Sequence, residues 1–454
     1  MTPGRSDAPR LDVTAERSSD APVEPSLLPD GAEFGSDGRL SIAGVDVAEL
    51  CGRFGTPVFV YDEDHLRRRC REAVTAWGDG VAYASKAFLC TAMARLAVEE
   101  GMSIDVSTGG ELHVALVAGV PGERLVLHGN NKSDIELTRA LEVGVGRIVV
   151  DSFDEADRLD RLAPQVGVRP DVLVRVTPGI EAHTHEYVRT GQDDSKFGFG
   201  LGSGAAAAIA ARLSSPSSAV RLVGLHVHIG SQIFEPEFFA LALETVAPLV
   251  SQLGLSELCV GGGLGVGYVA GEPTPSITDW ARTVRAAGLK AGLDPSVRLT
   301  AEPGRSIVAD AAVTCYTVGT IKVIPGVRTY VSVDGGMSDN PRPVLYGSGY
   351  EAFAATDGLA ARPSTATVVG KHCESGDIVV RDARLPVSIA IGDVLVTPVT
   401  GAYGHSMASN YNKVPRPPVV FASQGRARLV VRRESYDDLV ALDIDEAFGP
   451  EWGA

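Results

Sequence analysis

The sequence predicts an α/β fold in which a (β/α)8 barrel of the TIM type is followed by a C-terminal, mostly antiparallel β domain. From about residue 56 to 305, short runs rich in β-branched residues alternate with helical segments, which is the pattern of βα units and a parallel sheet. After about residue 306, strand-like runs are separated by Gly, Pro and Asp instead. The 454 residues leave room for both units, because a barrel of this type takes about 250 residues.

The barrel prediction depends on strand candidates that are each followed by a helical segment. Two of the helices open with S-x-x-E spacing, Ser133 with Glu136 and Ser152 with Glu155, which satisfies exposed amides at a helix start. Eight βα units are the number that closes a barrel. The eight strand candidates are Val81–Ala84, Ser103–Val106, Leu125–His128, Arg147–Val150, Val172–Val176, Val223–His228, Leu258–Gly261 and Val297–Ala301.

The remaining chain completes the predicted organisation. Residues 1–25 are polar and poor in large apolar side chains, which predicts a disordered leader. We expect residues 26–55 to pack with the β domain, residues 56–305 to form the barrel and residues 306–454 to form the β domain. The strand-like run Thr56–Tyr61 lies ahead of the first barrel helix. The strand candidates of the β domain are Tyr316–Val323, Thr329–Val333, Thr365–Val369, Asp377–Val380, Asp393–Thr397 and Arg426–Val431.

Composition and charge narrow the class of function. A net charge of -16 disfavours nucleic acid and anionic membranes as partners. No apolar run approaches the ~18 residues of a membrane span, and the N-terminus lacks the pattern of a secretory signal. The six cysteines show no CxxC pair and no metal-ligand spacing. They predict a chain without disulfides or metal in the reducing cytoplasm.

Functional groups of a barrel gather at the C-terminal ends of its strands, which makes those positions candidate site residues. The first strand ends at Lys86, whose amine could act on a carbonyl or an aldehyde cofactor; a solvated helix start is the commoner interpretation of an isolated lysine. The second strand offers Asp105 and Ser107. The sixth offers His226 and His228, which share a face of the strand. A satisfied core histidine is the alternative for each.

Glycines and charged residues follow the seventh and eighth strands. A Gly-Gly-Gly-Leu-Gly run at 261–265 lets backbone amides converge on an anion, where barrels commonly bind phosphate; a tight turn is the alternative. A Glu-Pro-Gly-Arg run follows at 302–305, with a surface ion pair as its alternative. Pyridoxal phosphate (PLP) needs a lysine, a phosphate cradle and an acidic partner for its ring nitrogen, and these residues offer all three.

Six motifs stand in order along nearly the whole chain. They are Tyr83–Phe88 (YASKAF), His226–Gln232 (HVHIGSQ), Gly261–Leu264 (GGGL), Glu302–Arg305 (EPGR), Cys373–Asp377 (CESGD) and Gly401–Gly404 (GAYG). Over about residues 30–420 the sequence therefore resembles the barrel-type PLP-dependent decarboxylases (fold type III, alanine-racemase-like), and most specifically the diaminopimelate decarboxylase family.

For the cofactor, the resemblance implies PLP attached through Lys86 as the Schiff-base lysine. It further implies that His228 stacks on the cofactor ring and that Glu302 faces the ring nitrogen. The other implied cofactor contacts are Ser231, Gly262, Gly263, Pro303, Gly304, Arg305 and Tyr403.

For the substrate, the resemblance implies decarboxylation of meso-2,6-diaminopimelate to L-lysine and CO2, the last step of lysine biosynthesis. Arg342 is the expected clamp for the distal carboxylate, because an ornithine-type relative would need an acidic group for a distal ammonium. A PLP-dependent decarboxylase of another basic or dicarboxylic amino acid, of the ornithine or arginine type or from secondary metabolism, is the alternative. The implied substrate contacts are Arg305, Arg342, Tyr346, Glu374 and Tyr403.

The resemblance also implies a homodimer with shared active sites, in which Cys373 and Glu374 reach the partner's barrel mouth. Cys373 is the expected proton donor after CO2 loss, and inert burial is the alternative. Residues 183–199 are expected to form a lid and specificity region, or else a solvated loop. At His405, where relatives often carry an aromatic residue or a cysteine, only a tuning effect is expected.

Other classes of protein match the sequence less well. A barrel-type racemase would keep Lys86 but lack the long second domain with the CESGD motif. A catalytically silent homologue would lose Lys86 or Cys373, and the chain keeps both. A Rossmann dehydrogenase would carry its glycine motif in the first βα unit rather than after the seventh strand.

Overall fold

The structure is a computed structural model that describes residues 23–180 and 195–444. Apart from residues 23–25, the predicted leader lies outside the described residues, and the predicted lid is described only over 195–199. None of the helices in the described ranges is long and apolar enough to cross a bilayer.

Helices alternate with short strands through the first two thirds of the described chain, and strands dominate the last third. In chain order the helices are α1 (Val47–Phe54), α2 (Glu63–Trp77), α3 (Thr91–Glu99), α4 (Gly109–Val117), α5 (Asp134–Val143), α6 (Phe153–Val166), α7 (Ala205–Leu213), α8 (Glu237–Leu253), α9 (Ile277–Lys290), α10 (Arg305–Val308) and α11 (Arg342–Tyr346). The strands are β1 (Ala32–Phe34), β2 (Leu40–Ile42), β3 (Val45–Asp46), β4 (Val58–Asp62), β5 (Ala82–Ala84), β6 (Ser103–Val106), β7 (Leu125–Leu127), β8 (Arg147–Val150), β9 (Asp171–Thr177), β10 (Phe199–Gly200), β11 (Arg221–Val227), β12 (Glu257–Cys259), β13 (Arg298–Thr300), β14 (Ala312–Ile324), β15 (Arg328–Val333), β16 (Phe353–Ala354), β17 (Ser364–Val369), β18 (Ile378–Leu385), β19 (Val394–Pro398), β20 (Val419–Ser423) and β21 (Arg426–Val431).

The predicted barrel is confirmed. In the part of the chain that the structure describes, eight parallel strands follow one another in the order β5, β6, β7, β8, β9, β11, β12 and β13. The ring closes because the amide of Ala82 donates to the carbonyl of Ala301 at 3.0 Å and the amide of Ala84 to the carbonyl of Pro303 at 3.1 Å. All four residues of β6 are buried, as expected of parallel strands that helices cover. Closure brings the C-terminal strand ends to one rim.

The two predicted capping boxes form differently. At α5 the box is complete, because Ser133 accepts from the Glu136 amide and the Glu136 carboxylate accepts from the Ser133 amide at 2.9 Å. At α6, Ser152 accepts from the Glu155 amide at 3.2 Å. The carboxylate of Glu155 instead points inward to the ammonium of Lys132, 2.7 Å away. Its other oxygen accepts from the Asp151 amide at 3.2 Å, so Glu155 combines a buried ion pair with a hydrogen bond to the residue before the cap instead of to Ser152 itself.

The β domain is built on a sheet in the order β18, β17, β15, β14, β4, β20 and β21, with β19 paired to β14 and β16 to β19. Its pairs are antiparallel except β15 with β17 and β4 with β20, which confirms the mostly antiparallel prediction. The sequence did not predict β16 or β20. Both lack an alternating pattern, since β16 has two residues and β20 is buried over its first four.

Strand β4 links the two units. It precedes the first barrel helix in the chain, yet it pairs with β14 and β20 of the β domain. The hydroxyl of Tyr61 donates to the carbonyl of Gly401 at 2.7 Å, which ties the strand to the loop after β19. In the N-terminal segment, the amide of Leu40 donates to the carbonyl of Ala355 at 2.8 Å. The division of the chain into four segments stays a prediction.

The loop after β19 lies over the barrel mouth. The amide of Tyr403 donates to the carbonyl of Ala87 at 2.9 Å, and the hydroxyl of Ser406 donates to the same carbonyl at 3.0 Å. Ala87 belongs to the 3-10 turn Ser85–Ala87 that follows β5. The β domain and the barrel therefore meet at the rim where the strand ends gather.

Candidate active site

Lys86 lies on the 3-10 turn directly after β5. Its neighbours from Val81 to Ser85 are buried, whereas Lys86 itself is exposed. Its side chain lines a cavity of about 340 Å³ at the barrel mouth. The amine is therefore at the strand end where the sequence predicts it.

Most of the predicted site residues meet in this first cavity. The predicted residues that line it are Lys86, Asp105, Ser107, His226, His228, Ser231, Gly262, Gly263, Glu302, Gly304, Arg305 and Tyr403. Pro303 does not line it, and its carbonyl helps to close the barrel. The lining residues that sequence reasoning had not singled out are Ala84, His128, Gly129, Asn130 and Arg175.

Glu302 is held between two imidazoles on the cavity floor. One carboxylate oxygen lies 2.8 Å from Nε2 of His128 and the other lies 2.8 Å from Nε2 of His226. Burial works to raise the pKa of Glu302, but the two imidazoles outweigh it and hold the pKa well below its ordinary value. The ligand atoms of the three side chains lie within 4.8 Å of one another. The two hydrogen bonds account for this spacing, and the absence of a metal stays a prediction.

Two further titratable groups face the same cavity. Burial raises the pKa of Asp105 to about 6, although His128 works against the shift. Burial also lowers the pKa of His228 well below its ordinary value, and the positive charges of Lys86 and Arg175 add to this effect. The His228 ring is therefore neutral near pH 7.

The glycine run after β12 packs tightly against neighbouring loops. A Cβ at Gly262 would lie 2.2 Å from the carbonyl oxygen of Glu302, and one at Gly263 would lie 2.2 Å from that of Gly230. Gly263 also has a φ of 117°. Only glycine is compatible with these positions, so the run is a tight turn that also presents backbone to the cavity.

Arg305 is buried at the start of α10, with 6% of its surface exposed. Its Nη2 donates to the hydroxyl of Ser231 at 3.1 Å and its Nη1 to the hydroxyl of Tyr268. The guanidinium lies 4.7 Å from the centre of the Tyr403 ring. Within the described chain its Nε has no hydrogen-bond partner and no carboxylate forms a salt bridge with it. The alternative of a surface ion pair with Glu302 is therefore wrong.

A second cavity of about 310 Å³ adjoins the first on the side of the β domain. Lys86, Ser231, Arg305 and Tyr403 line both cavities. The residues that line only the second are Gln232, Tyr268, Glu272, Arg342, Tyr346, Ser348 and Gly349. Two predicted substrate contacts, Arg342 and Tyr346, are therefore beside the predicted cofactor site.

Arg342 is a buried cation with neutral partners. Its Nε donates to the hydroxyl of Tyr350 at 3.0 Å and its Nη2 to that of Ser348 at 3.0 Å. Its guanidinium lies 4.6 Å from the ring centre of Tyr268 and 5.6 Å from that of Tyr346. Burial works to lower the pKa of Arg342, but the nearby tyrosines raise it overall. Over residues 23–180 and 195–444, no carboxylate pairs with it.

Cys373 and Glu374 line neither cavity. Cys373 is exposed, and its amide donates to the side-chain carbonyl of Asn412 at 3.2 Å. Glu374 accepts a hydrogen bond from the hydroxyl of Tyr411. Inert burial of Cys373 is therefore wrong, and within one chain these two residues stay apart from the cavity around Lys86.

Among the lining residues that sequence reasoning missed, His128, Arg175 and Tyr268 contact predicted residues of the site or the lid. His128 and Arg175 lie at or near the C-terminal ends of the third and fifth barrel strands. The strand-end rule, that functional groups of a barrel gather at these ends, would have found both. Arg175 also stacks over Phe197 of the predicted lid at 4.3 Å. Tyr268 follows the glycine run on a loop and carries no pattern that marks it.

His405 packs as an aromatic ring beside the site. It contacts Phe59 and Phe88 edge-on, with ring centres 5.7 and 5.9 Å away. Burial lowers the pKa of His405 to about 4, so the ring is neutral near pH 7. The expected tuning effect of this residue stays a prediction.

The chain is similar to known proteins along most of its length. A family model for pyridoxal-dependent decarboxylases, described as their pyridoxal binding domain, matches residues 63–309. The chain is 47% identical to the diaminopimelate decarboxylase of Mycobacterium tuberculosis over 442 residues, which cover 93% of this chain and 98% of the relative. It is 46% identical to the diaminopimelate decarboxylase of Bacillus subtilis over 423 residues, which cover 90% and 95%.

Solved structures agree with these sequence relatives. The diaminopimelate decarboxylase of M. jannaschii, in a complex with L-lysine, has a TM-score of 0.84 at 32% identity and covers 92% of this chain and 98% of its own. From the family match over the barrel, and from relatives at nearly half identity along almost their whole length, we conclude that the chain belongs to the diaminopimelate decarboxylase family of pyridoxal-dependent decarboxylases.

Proposed function

We propose that this protein converts meso-2,6-diaminopimelate to L-lysine and CO2. The observation that carries the proposal is the pair of buried guanidiniums, Arg305 and Arg342, which have neutral partners only among the described residues. A buried cation without a counter-charge is costly unless a ligand brings one. A cofactor phosphate or an α-carboxylate supplies the counter-charge at Arg305, and a carboxylate at the far end of the substrate supplies it at Arg342. The M. jannaschii relative holds L-lysine, the amino acid that this reaction releases.

The first cavity suits PLP, the cofactor of this family. The amine of Lys86, the ionised carboxylate of Glu302 and the unpartnered Nε of Arg305 match the aldehyde, the ring nitrogen and the phosphate of PLP. When it is bound, PLP supplies an electron sink for the electron pair left behind by CO2.

Each residue around the cofactor has a role in this proposal. Lys86 would hold the cofactor covalently through Nζ. Neutral His228 would lie against the ring, and Glu302, ionised between its two histidines, would keep a proton on the ring nitrogen. The residues that would hold the phosphate side with Arg305 are Ser231, Gly262, Gly263, Gly304 and Tyr403.

Arg342 selects the substrate by charge. Its guanidinium binds the distal carboxylate, with Tyr346 and Tyr403 along the side of the substrate. A distal ammonium, as in ornithine, would meet a buried like charge there. This disfavours the alternative of a decarboxylase for basic amino acids.

A panel of amino acids with CO2 detection tests the substrate. We expect turnover of meso-diaminopimelate and little or none of ornithine, arginine and lysine. Good turnover of ornithine or arginine without turnover of meso-diaminopimelate would sink the proposal. Lys86→Ala, which removes the covalent attachment, is the matched inactive control.

We also propose a homodimer in which the partner's Cys373 and Glu374 complete each site. Both residues lie outside the two cavities of their own chain, and the Cys373 thiol is exposed. The carbon that loses CO2 must take up a proton, and the thiol donates it from Sγ, which is left as a thiolate.

Mixing two inactive variants tests the shared site. The variants are Lys86→Ala and Cys373→Ala. Each proposed site uses Lys86 of one chain and Cys373 of the other. In a mixed dimer, one site therefore has both residues intact, whereas the second site carries both substitutions. Random exchange should then restore about a quarter of the wild-type activity, because half of the dimers are mixed and half of their sites are intact. Activity that stays at the level of the separate variants would contradict a site built from two chains.

We expect this protein to work in the reducing cytoplasm. The exposed thiol of Cys373 donates a proton only while it is reduced, and oxidation to a disulfide or a sulfenic acid would remove it. Cell fractionation with an antibody to the chain checks the location.

A further inference from the structure

One buried tyrosine lies between the two guanidiniums of the second cavity. Tyr268 is 3% exposed. Arg342 stacks on it with 4.6 Å between its guanidinium carbon and the ring centre, and Arg305 donates to its hydroxyl. The phenol therefore contacts both cations, one through its face and the other through its oxygen.

The backbone of Tyr268 is held in place by the loop that carries it. The Tyr268 amide donates to a carboxylate oxygen of Glu272 at 2.8 Å. Just ahead of it, the Gly267 amide donates to the hydroxyl of Thr274 at 3.0 Å, and a Cβ at Gly267 would lie 2.7 Å from the Glu272 carbonyl oxygen. The loop has little room to shift, so the position of the ring is fixed.

A second tyrosine fixes the far side of the ring. Tyr350 packs edge-on against Tyr268, with ring centres 5.2 Å apart and an angle of 80° between the planes. The hydroxyl of Tyr350 accepts from Nε of Arg342 at 3.0 Å. Arg342 is thus held both by the face of Tyr268 and by the residue that packs on its edge.

We propose that Tyr268 is a positioning residue that sets the chain length of the dicarboxylic amino acid accepted by the site. Its ring separates the two cations by a fixed distance. Whichever anion Arg305 takes, the cofactor phosphate or the α-carboxylate, the clamp at Arg342 is held at a set distance from it. Tyr268 thereby acts through Arg342 and Arg305, and the inference rests on the proposed function.

A mere packing role predicts a different outcome from a spacing role. If Tyr268 only fills space, Tyr268→Leu weakens the binding of every dicarboxylate by a similar factor. If the ring sets the spacing, the same variant changes which chain length binds best. The ranking of ligands by length therefore separates the two roles, whereas overall activity does not.

The experiment measures binding of straight-chain 2-amino dicarboxylic acids, whose amine meets the cofactor, to the PLP-loaded enzyme by titration of the cofactor absorbance. The ligands are glutamate, 2-aminoadipate, 2-aminopimelate and 2-aminosuberate. We expect the wild type to bind 2-aminopimelate, which has the seven-carbon chain of diaminopimelate, at least about 10-fold more tightly than its neighbours in length. In Tyr268→Leu this preference should fall to within about threefold.

Two further variants complete the test. Tyr268→Phe keeps the ring under Arg342 and loses only the hydroxyl contact to Arg305, so it should retain part of the preference even if the leucine variant does not fold. Tyr350→Phe, the matched control, loses the hydrogen bond to Arg342 but keeps the spacing ring, so affinity should fall while the length ranking stays.

An unchanged length ranking in both Tyr268 variants, or the absence of any ranking in the wild type, overturns the inference. A wild type that ranks dicarboxylates by length but releases no CO2 from meso-diaminopimelate would contradict the proposed function and leave the role of Tyr268 intact. The two failures are therefore distinguishable.

Discussion

The two cavities share Lys86 and Arg305 but differ in how the charges of their other residues are balanced. At the first, Glu302 has an imidazole on each carboxylate oxygen, and Lys132 behind the cavity meets Glu155 at 2.7 Å. At the second, Arg342 has hydroxyl groups and aromatic faces instead of a carboxylate among the residues that the structure describes. A buried charge that meets a full counter-charge of the chain, as Lys132 meets Glu155, belongs to the scaffold, whereas a buried charge without a counter-charge is held for a ligand.

The largest expected effect breaks a balanced pair. Lys132→Met should lower the free energy of unfolding by about 3–5 kcal/mol, because Glu155 would be left as a buried, unpaired carboxylate. The Lys132 ammonium also donates to the carbonyls of Gly129 and Val149 at 2.7 Å, and both would lose a donor. Urea unfolding monitored by circular dichroism measures the change.

The double variant is the control for this pair. Lys132→Met combined with Glu155→Leu removes both charges and should recover much of the lost stability. A single Lys132→Met variant as stable as the wild type would show that the pair is not a balanced unit.

The next prediction concerns the carboxylate of Glu302, whose charge can be removed without changing the shape of the side chain. Glu302→Gln keeps hydrogen-bonding groups for His128 and His226 but cannot balance a protonated ring nitrogen. We expect kcat to fall by roughly 10²–10³-fold with little change in cofactor loading. Steady-state kinetics and the cofactor absorbance measure both, and an unaltered kcat would contradict the assignment of Glu302.

Removing the unbalanced cation should cost the fold far less than breaking the balanced pair. Arg342→Met leaves no orphan charge, so unfolding should change by about 1 kcal/mol or less, whereas kcat/KM for meso-diaminopimelate should fall roughly 10²-fold. Thermal unfolding and kinetics on the same preparation give both numbers. A loss of stability as large as that of Lys132→Met would erase the distinction between the two cavities.

The remaining effect is on the pH dependence of stability and concerns a buried carboxyl near the arginine clamp. Asp339 accepts from the Tyr316 hydroxyl at 2.6 Å and from the Gly336 amide at 2.7 Å, and burial raises the pKa of Asp339 from 3.8 to about 7. Because the folded pKa is raised, the stability that this group contributes is complete below about pH 4 and is lost as the pH rises through 7.

The Asp339→Asn variant isolates this contribution, since its amide oxygen can accept from the Gly336 amide while its NH2 group donates to the oxygen of the Tyr316 hydroxyl. The Tm of the wild type should fall more between pH 5 and pH 8 than the Tm of the variant, as measured by differential scanning calorimetry. Parallel pH profiles for the two proteins would contradict a raised pKa at Asp339.

Short-range sequence patterns predicted the features of the fold that depend on residues close together in the chain. The barrel strands, the glycine run and Lys86 are all marked by short-range sequence features. The partners of β4 are not, because it pairs with residues more than 250 positions away in β14 and about 360 positions away in β20. A short stretch of sequence cannot indicate a pairing between strands that are so far apart in the chain.

Side-chain environments were predictable only where a general rule applied. The strand-end rule reached Asp105 and His226, and would have reached His128 and Arg175. The role of Tyr268 depends on which side chains close around it, and the loop sequence says nothing about Arg342, which lies on another unit of the fold. The family resemblance supplied Arg342 and Tyr346, which composition and spacing alone did not indicate.

The placement of β4 has a consequence for synthesis on the ribosome. The strand leaves the exit tunnel early, yet its parallel partner β20 begins 360 positions behind it. At about 5–20 residues per second, the interval is roughly 20–70 seconds. During this time five fully buried residues, Val58 to Asp62, have at most one sheet neighbour, β14, whose paired residues follow them by more than 250 positions. Nascent chains of this protein are thus expected to need chaperone protection at their N-terminal end until translation is nearly complete.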